Sequence, residues 1–333
     1  MRIILLGLLV LALISGLYLS AGAARDVVSS AMASNTSDVP SVPVEMPLQK
    51  LSDHVYYVQG VAGIATDNAG FISNAAAIVT NEGVVIVDAL GSPALAKKFL
   101  QRIREVTDKP IVKVIVTHYH ADHIYGLQLF KAEGAEVIAP AGYHEYVEAP
   151  IAEQRLEERR ISLAPWVDEN THIVMPDTVI DKNTTMQVGD VELDILYLGA
   201  AHSDGDLAVL VKNDAVLISG DLIFEGRVPF TGSANTAHWL DVLEHLDNTG
   251  LKALLPGHGP AASNPGEAVK LTLDYLRTVR DAMQRGVDEM MTFEEAYDQA
   301  DWSRFEKLPA FDATHRRNAY GVFLSLEEAA LAQ

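Results

Sequence analysis

One junction narrows the folding options of this chain more than any other. Ile111-Val112-Lys113-Val114-Ile115-Val116 has the apolar, β-branched composition of a buried strand, and it runs straight into Thr117-His118-Tyr119-His120-Ala121-Asp122-His123. In layered α/β domains, side chains just past the carboxyl end of a strand stand on a rigid base yet project into a crevice. On semi-extended backbone His118 and His120 point to the same side and can share one metal ion, while Asp122 and His123 fall on the following turn and can serve a neighbouring ion. A solvated polar loop accounts for a single histidine, not for this density of imidazoles and carboxylate.

The metal chemistry is bounded by composition. The chain has no cysteine, which removes disulfides, thiolate zinc sites, iron–sulfur clusters and cysteine nucleophiles together, so any metal is held by His and carboxylates. Its 45 acidic and 25 basic side chains give a net charge of -20, which repels phosphate backbones and argues against nucleic acid as a partner. With 49% apolar residues over 333 positions, there is enough material for one large domain or two modest ones.

At the N-terminus, Met1-Arg2 leads into an apolar run from Ile3 to Leu19, followed by small residues at Ala21 and Ala23. Residues 1–23 read as a secretory signal peptide cut after Ala23 or as an uncleaved N-terminal anchor. A periplasmic or secreted location is therefore expected, and a bacterial periplasm suits a cysteine-free exported chain. Membrane contact is expected only through this segment. The Ser, Asn, Val and Pro composition that follows assigns residues 24–50 to a flexible linker and residues 51–333 to the folded domain, C-terminal helices included.

Within that domain, strands are expected at His54 to Val58, Ala75 to Val79, Val84 to Val87 and Val191 to Leu198, and a hairpin at Leu207 to Val211 and Ala215 to Ser219. Helices are expected from Ser92 to Glu105, from Glu153 to Arg160, after the Asn264-Pro265 cap pair, and after Thr292-Phe293-Glu294-Glu295, which has capping-box chemistry. Alternating strands and helices imply a layered α/β architecture. Further candidate ligands stand where apolar runs end: His202 in Gly199-Ala200-Ala201-His202-Ser203-Asp204-Gly205-Asp206, Asp221 after Leu217-Ile218-Ser219-Gly220, and His258 in Pro256-Gly257-His258-Gly259.

Taken in this order, with Asp88 in Val85-Ile86-Val87-Asp88-Ala89 ahead of them, these residues resemble the motifs Asp, HxHxDH, His, Asp and His of the metallo-β-lactamase-fold superfamily. The resemblance runs from about Leu51 to the end of the chain. It includes the helix around Arg316-Arg317-Asn318, which is similar to that of exported members grouped with sulfur-oxidation and quinoprotein-associated metallohydrolases. The HxHxDH motif is specific for the superfamily and uninformative about substrate. The resemblance implies an α/β fold, a four-layer αββα sandwich, with a dinuclear metal site at one edge. His118, His120 and His202 would then hold one ion, Asp122, His123 and His258 the other, and Asp221 would bridge them. Asp88 would support the ligand loops by hydrogen bonding. The donor set suits two Zn²⁺, with Fe or Mn as further fits.

Such a site implies an enzyme, a zinc-dependent hydrolase that applies a metal-bound hydroxide to the carbonyl of a small-molecule ester, thioester or β-lactam, with Asp122 orienting the attacking oxygen. Class B β-lactamases often place Cys where this chain has Asp221. Glyoxalase II enzymes, which match better there, carry a basic C-terminal patch that is not evident in this chain. A mononuclear iron persulfide dioxygenase-like oxidoreductase and a non-catalytic metal-binding module are the alternatives. Asn74, Tyr119 and Arg227 are candidates for substrate binding, and Tyr125 for the pocket rim. His54, His144, His172, His238, His245 and His315 lack partners at ligand spacing and read as surface or packing residues. The mixed charges from Glu153 to Arg160 read as a solvated helix face, with a lid or dimer element as the other option.

Overall fold

A computed structural model describes residues 39–332. The expected signal peptide and residues 24–38 of the expected linker lie outside the described residues. From Ser41 on, the chain forms one unit.

A mixed sheet has the order β1 (Gln49–Lys50), β2 (Val55–Val58), β3 (Ala75–Val79), β4 (Val84–Val87), β5 (Ile111–Ile115), β6 (Glu136–Pro140) and β7 (Thr178–Ile180). Its first four strands pair antiparallel and the rest parallel, with Val87 opposite Ile115. The second sheet runs β12 (Ala253–His258), β11 (Val216–Phe224), β10 (Asp206–Val211), β9 (Val191–Gly199) and β8 (Thr184–Val188), antiparallel except between β11 and β12.

The two sheets pack face to face because their strands alternate. Ala76 and Ile78 of β3, Val85 and Val87 of β4, Val191, Leu193 and Ile195 of β9, and Leu207, Val209 and Val211 of β10 all enter one shared core. Glu192 and Asp194, one register step away, stay half-exposed. The outer face of the second sheet, with Ala208, Leu217 and Leu254, packs on α6 (Thr236–His245), α7 (Pro265–Asp288) and α9 (Phe311–Leu331) through Trp239, Tyr275, Leu276, Val279 and Phe323. On the far side of the first sheet, α1 (Pro93–Arg104) and α3 (Leu127–Ala132) meet edge to face at Phe99 and Phe130, and α3 lies on β5 and β6. Helix, sheet, sheet, helix is the four-layer sandwich that the resemblance implies.

Local chemistry explains the helix boundaries. Ser92 accepts the Leu95 N–H at 3.1 Å ahead of Pro93 in the first turn of α1. Thr292 and Glu295 form the expected capping box of α8 (Phe293–Gln299). Asn264 does occupy the N-cap of α7, but its side chain makes no capping bond. α4 (Tyr143–Glu148) and α5 (Pro150–Ser162) follow β6, and α5 carries the expected charged surface, with Arg155 paired to Glu158 and Arg160 to Glu157. Among the described residues, no helix is long and apolar enough to cross a membrane.

Two expectations need correction. The linker does not extend to residue 50: Val42 and Met46 are buried, Trp166 Nε1 donates to the Ser41 carbonyl at 3.0 Å, and Gln49–Lys50 pairs with β2. Burial of those apolar side chains offsets the ordering cost that the Pro-rich composition suggested would prevail. The second hairpin strand does not stop at Ser219 either. β11 continues through Asp221 to Phe224 across a register shift at Gly220, whose φ is 52°. Thr117 explains this glycine, since a Cβ at position 220 would lie 2.5 Å from its Oγ1.

Candidate metal centre

All the motif residues emerge at one edge of the sandwich. The chain bends at residues 117–118 just past β5, and the His120 N–H donates to the His118 carbonyl at 3.2 Å, so His118 and His120 leave a tight turn before the short helix α2 (Ala121–Ile124) carries Asp122 and His123 to the same point. His202 sits in the loop from β9 to β10, Asp221 at the bulge inside β11, and His258 ends β12. The backbone bond from Leu207 N to the Thr117 carbonyl, 2.8 Å, ties the sheets together beside this point.

Three ring nitrogens converge first: His118 Nε2 and His202 Nε2 lie 3.0 and 3.1 Å from His120 Nδ1. A second group forms where Asp122 Oδ2 lies 3.2 Å from His258 Nε2 and 3.6 Å from His123 Nε2. Asp221 stands between the groups. Its Oδ2 is 3.3 Å from both His202 Nε2 and His258 Nε2, and its Oδ1 is 3.2 Å from His123 Nε2. The donor atoms of His118, His120 and His202, of His118, His123 and Asp221, and of Asp122, His123 and His258 each fall within 4.8 Å of one another.

Hydrogen bonds behind the rings orient them. Asp88 Oδ2 lies 2.9 Å from His123 Nδ1 and accepts the Thr117 hydroxyl at 2.8 Å, while its Oδ1 accepts the Thr117 N–H at 2.8 Å. Because the Thr117 proton goes to Asp88, His118 Nδ1, 3.0 Å away, donates to Thr117 Oγ1. His258 Nδ1 donates to the Ile72 carbonyl at 2.7 Å. His118, His123 and His258 therefore turn Nε2 inward. Asp88 holds this network at φ 62°, a left-handed conformation that Asp tolerates better than most residues. Asp206 brackets His202 from behind, accepting the N–H groups of Ala201 at 3.1 Å and Ser203 at 2.9 Å.

The electrostatics divide the site. Burial holds the His118 and His120 rings neutral and pushes His202 down to about 3. Burial opposes ionisation of Asp221 and Asp122, but His258 and His123 outweigh it and hold both carboxyls well below the usual range. Burial also opposes charge on His123, and Asp221, Asp88 and Asp122 overcome it. A cation entering here would meet neutral rings on one side and displace the inward proton of His123 on the other.

The donors fit a metal. His123 Nε2 and Asp221 Oδ1 are buried 3.2 Å apart as an ion pair without good hydrogen-bond geometry, an arrangement that a cation shared between them would satisfy. The ring-nitrogen separations are close to the edge of a tetrahedron with zinc–nitrogen bonds, about 3.3 Å. Nitrogen and carboxylate donors suit Zn²⁺, Fe or Mn.

The expected substrate contacts are redistributed. Asn74 is buried and staples loops: its Oδ1 accepts Gly60 N–H at 3.0 Å, and its Nδ2 donates to the carbonyls of Pro256 and Gly259 at 2.7 and 2.9 Å. Tyr119, at the centre of the turn closed by the His120 N–H and the His118 carbonyl, is buried and donates to the Val174 carbonyl at 2.7 Å. Both side chains are 3% exposed and committed to these protein hydrogen bonds. Arg227 does face the centre, 5% exposed, with Nη1 3.5 Å from His258 Nδ1 and no ion pair among the described residues. The remaining histidines behave as packing or surface groups: His54 binds Asp214 at 2.7 Å, His238 the Leu198 carbonyl at 2.9 Å, and His315 is buried, while His144, His172 and His245 are exposed. Thr117, Asp206 and Gly257 are contributors that spacing alone did not flag, although each stands beside or within a ligand motif.

Comparison with known proteins agrees with this geometry. The model of the metallo-beta-lactamase superfamily matches residues 68–258. A metallo-beta-lactamase type 2 from Elizabethkingia meningoseptica is 23% identical over 237 residues, 70% of this chain and 85% of that protein. Among solved structures, a metallo-beta-lactamase from Pontibacter korlensis superposes with a TM-score of 0.55 at 18% identity, covering 70% of this chain and 99% of the other. The sec-alkylsulfatase Pisa1 from Pseudomonas sp. gives 0.62 at 20% identity over 84% of this chain, which spans half of that longer protein. At these identities the structures speak for the fold.

Proposed function

Because the chain belongs to the metallo-beta-lactamase superfamily, we propose that it is an exported, dinuclear metal-dependent hydrolase acting on a carboxylic ester, thioester or β-lactam. The observation that carries this reading is the position of Asp221 Oδ2, 3.3 Å from a histidine of each donor group. His118, His120 and His202 would hold one ion and Asp122, His123 and His258 the other, with Asp221 available to both groups. Two Zn²⁺ are the first choice, with Fe or Mn as alternatives. Such a pair supplies a water acidic enough to ionise near neutrality and Lewis-acid polarisation of the substrate carbonyl.

The protein's own groups do the rest. The Asp122 side chain is 23% exposed against 5% for Asp221, so Asp122 is the carboxylate that meets the attacking water and orients its proton. Arg227 places a positive charge beside His258, where it offsets negative charge developing on the substrate. Residues 1–23 direct export to the periplasm or beyond.

Purified full-length protein and Asp221→Ala are compared by elemental analysis and by turnover of a cephalosporin, a thioester, an aryl ester and a phosphodiester, with an alkyl sulfate added because of the Pisa1 likeness. About two metal equivalents in the parent, lost together with hydrolysis in the variant, are expected. About one iron with oxygen consumption on a persulfide, or an unchanged rate in metal-replete Asp221→Ala, overturns the reading. N-terminal sequencing of the periplasmic fraction tests export, with Ala24 as the expected first residue.

A further inference from the structure

Arg227 rides on the segment that leads from the end of β11 to α6, and its guanidinium has weak holds of its own. Nε reaches the Val228 carbonyl at 3.4 Å, Nη1 stands 3.5 Å from a His258 Nδ1 that already donates to Ile72, and the Phe224 ring centroid is 5.9 Å away. Backbone placement therefore decides where this charge sits. On one side, Glu225 N donates to the His258 carbonyl at 3.1 Å. On the other, the C-terminal layer takes over, with Val228 N donating to the Pro309 carbonyl at 3.0 Å. Asn318 of α9 grips the next residues, donating from Nδ2 to the Pro229 carbonyl at 2.6 Å and accepting the Thr231 N–H on Oδ1 at 3.1 Å. Arg317 adds a contact of its own, its guanidinium 5.7 Å from the Phe230 ring centroid.

Asn318 is buried and fully committed, since its second Nδ2 proton goes to the Tyr275 hydroxyl at 2.8 Å. The Tyr275 oxygen accepts there, so its own proton goes to His315 Nδ1 at 3.0 Å. Tyr275 and His315 thereby fix which way the carboxamide faces. A carboxylate at position 318 could accept from Thr231 but could donate to neither Pro229 nor Tyr275. We propose that Asn318, locked by Tyr275 and His315, is a positioning residue that holds the Arg227 segment so that the guanidinium faces the metal centre beside His258. The inference rests on the hydrolase reading, in which that charge offsets negative charge developing on the substrate. Asn318 then governs turnover and leaves metal binding alone, and α9 becomes part of the working site although none of its side chains is a metal ligand. Misplacing a charged group by about 1 Å costs up to about 100-fold in rate.

The test uses metal-loaded full-length protein with Asn318→Asp, Tyr275→Phe, Arg227→Gln and the double variant Arg227→Gln/Asn318→Asp, each checked by thermal melting and metal content. The probes are p-nitrophenyl acetate and the chromogenic cephalosporin nitrocefin. Asn318→Asp is expected to lower kcat about 10–100-fold, with KM within about twofold and metal content as in the parent. In the Arg227→Gln background the same change should cost less than about twofold, because the group it positions is gone. Tyr275→Phe should show a smaller loss of the same kind, and it carries the comparison if Asn318→Asp does not fold. Tyr320→Ala loosens α9 where its ring meets Phe293 and is expected to leave kcat as it is. Nitrogen-15 NMR of arginine-labelled protein gives a readout that needs no turnover. The Arg227 Nε–H resonance, assigned by its loss in Arg227→Gln, is expected to move in Asn318→Asp and to stay in Tyr320→Ala. Additive losses in the double variant, an unmoved resonance, or loss of metal from Asn318→Asp overturns the proposal. A resonance that moves in a protein whose parent turns over neither probe sinks the hydrolase reading and leaves the hold on Arg227 standing.

Discussion

Gly257→Ala is the smallest change expected to empty the metal centre. Gly257 precedes His258 in β12, and a Cβ built on it would lie 1.9 Å from Asp221 Oδ1, 2.7 Å from Gly220 C and 2.8 Å from Asp221 N. Non-bonded atoms do not approach a Cβ closer than 3.0 Å, so the carboxylate must retreat by about 1.1 Å. Metal ligands tolerate about 0.2 Å. The Oδ1 and Oδ2 contacts of Asp221 with His123, His202 and His258 are 3.2–3.3 Å long, and a shift of that size breaks all of them. Metal affinity should fall about 100-fold or more, with a further cost of about 1–3 kcal/mol from crowding the β11–β12 backbone. Chelator competition measures the first and urea denaturation of stripped protein the second. Gly266→Ala is the control, because its nearest neighbour is 3.8 Å away. Wild-type metal affinity in Gly257→Ala would refute the assignment of Asp221 as the shared ligand.

Asp88→Asn keeps the left-handed backbone but removes the charge that orients His123 and, through Thr117, His118; metal affinity should drop about 10–100-fold in chelator competition. Asp88→Ala should add roughly 1–2 kcal/mol of backbone strain at φ 62°, visible as a lower urea midpoint without metal. His315, stacked on Phe311 and held by Tyr275, is pushed down to about 4 by burial. The unfolded chain takes up that proton near 6.5 and the folded one only near 4, so stability is full above about pH 6.5 and is lost as the pH falls toward 4. Denaturation of His315→Gln at both ends of that window should show a shallower acid slope than the parent. Thr292→Ala removes the capping box of α8 and should cost about 1 kcal/mol in thermal unfolding while leaving metal affinity untouched.

Strand alternation and turn chemistry made much of the sandwich readable in advance. Ala75 to Val79 and Val84 to Val87 pair as the residues around Asn81-Glu82-Gly83 suggested, because period-two burial and a glycine turn are local signals. The convergence of the histidines was legible for a different reason: their chemistry is costly to place anywhere else. Asp221 shows the limit of such reasoning. A Gly-Asp step after an apolar run reads as a strand end, and only the presence of Thr117 from the other sheet reveals that Gly220 is a bulge inside a strand that continues. The loop-tying bonds of Asn74 and Tyr119 were illegible for a similar cause, since their partners are carbonyls of Pro256, Gly259 and Val174 that carry no side-chain signature.

The donor set is drawn from both sheets, His118 to His123 from one and His202, Asp221 and His258 from the other. Ions settled there would act as rivets through the seam of the sandwich, and heat tolerance would become a question of ion supply. At a hundredfold excess over the dissociation constant, mass action adds about 2.7 kcal/mol for each independent ion. For a molecule so loaded, starvation for metal would be an unfolding stress as well as a loss of catalysis.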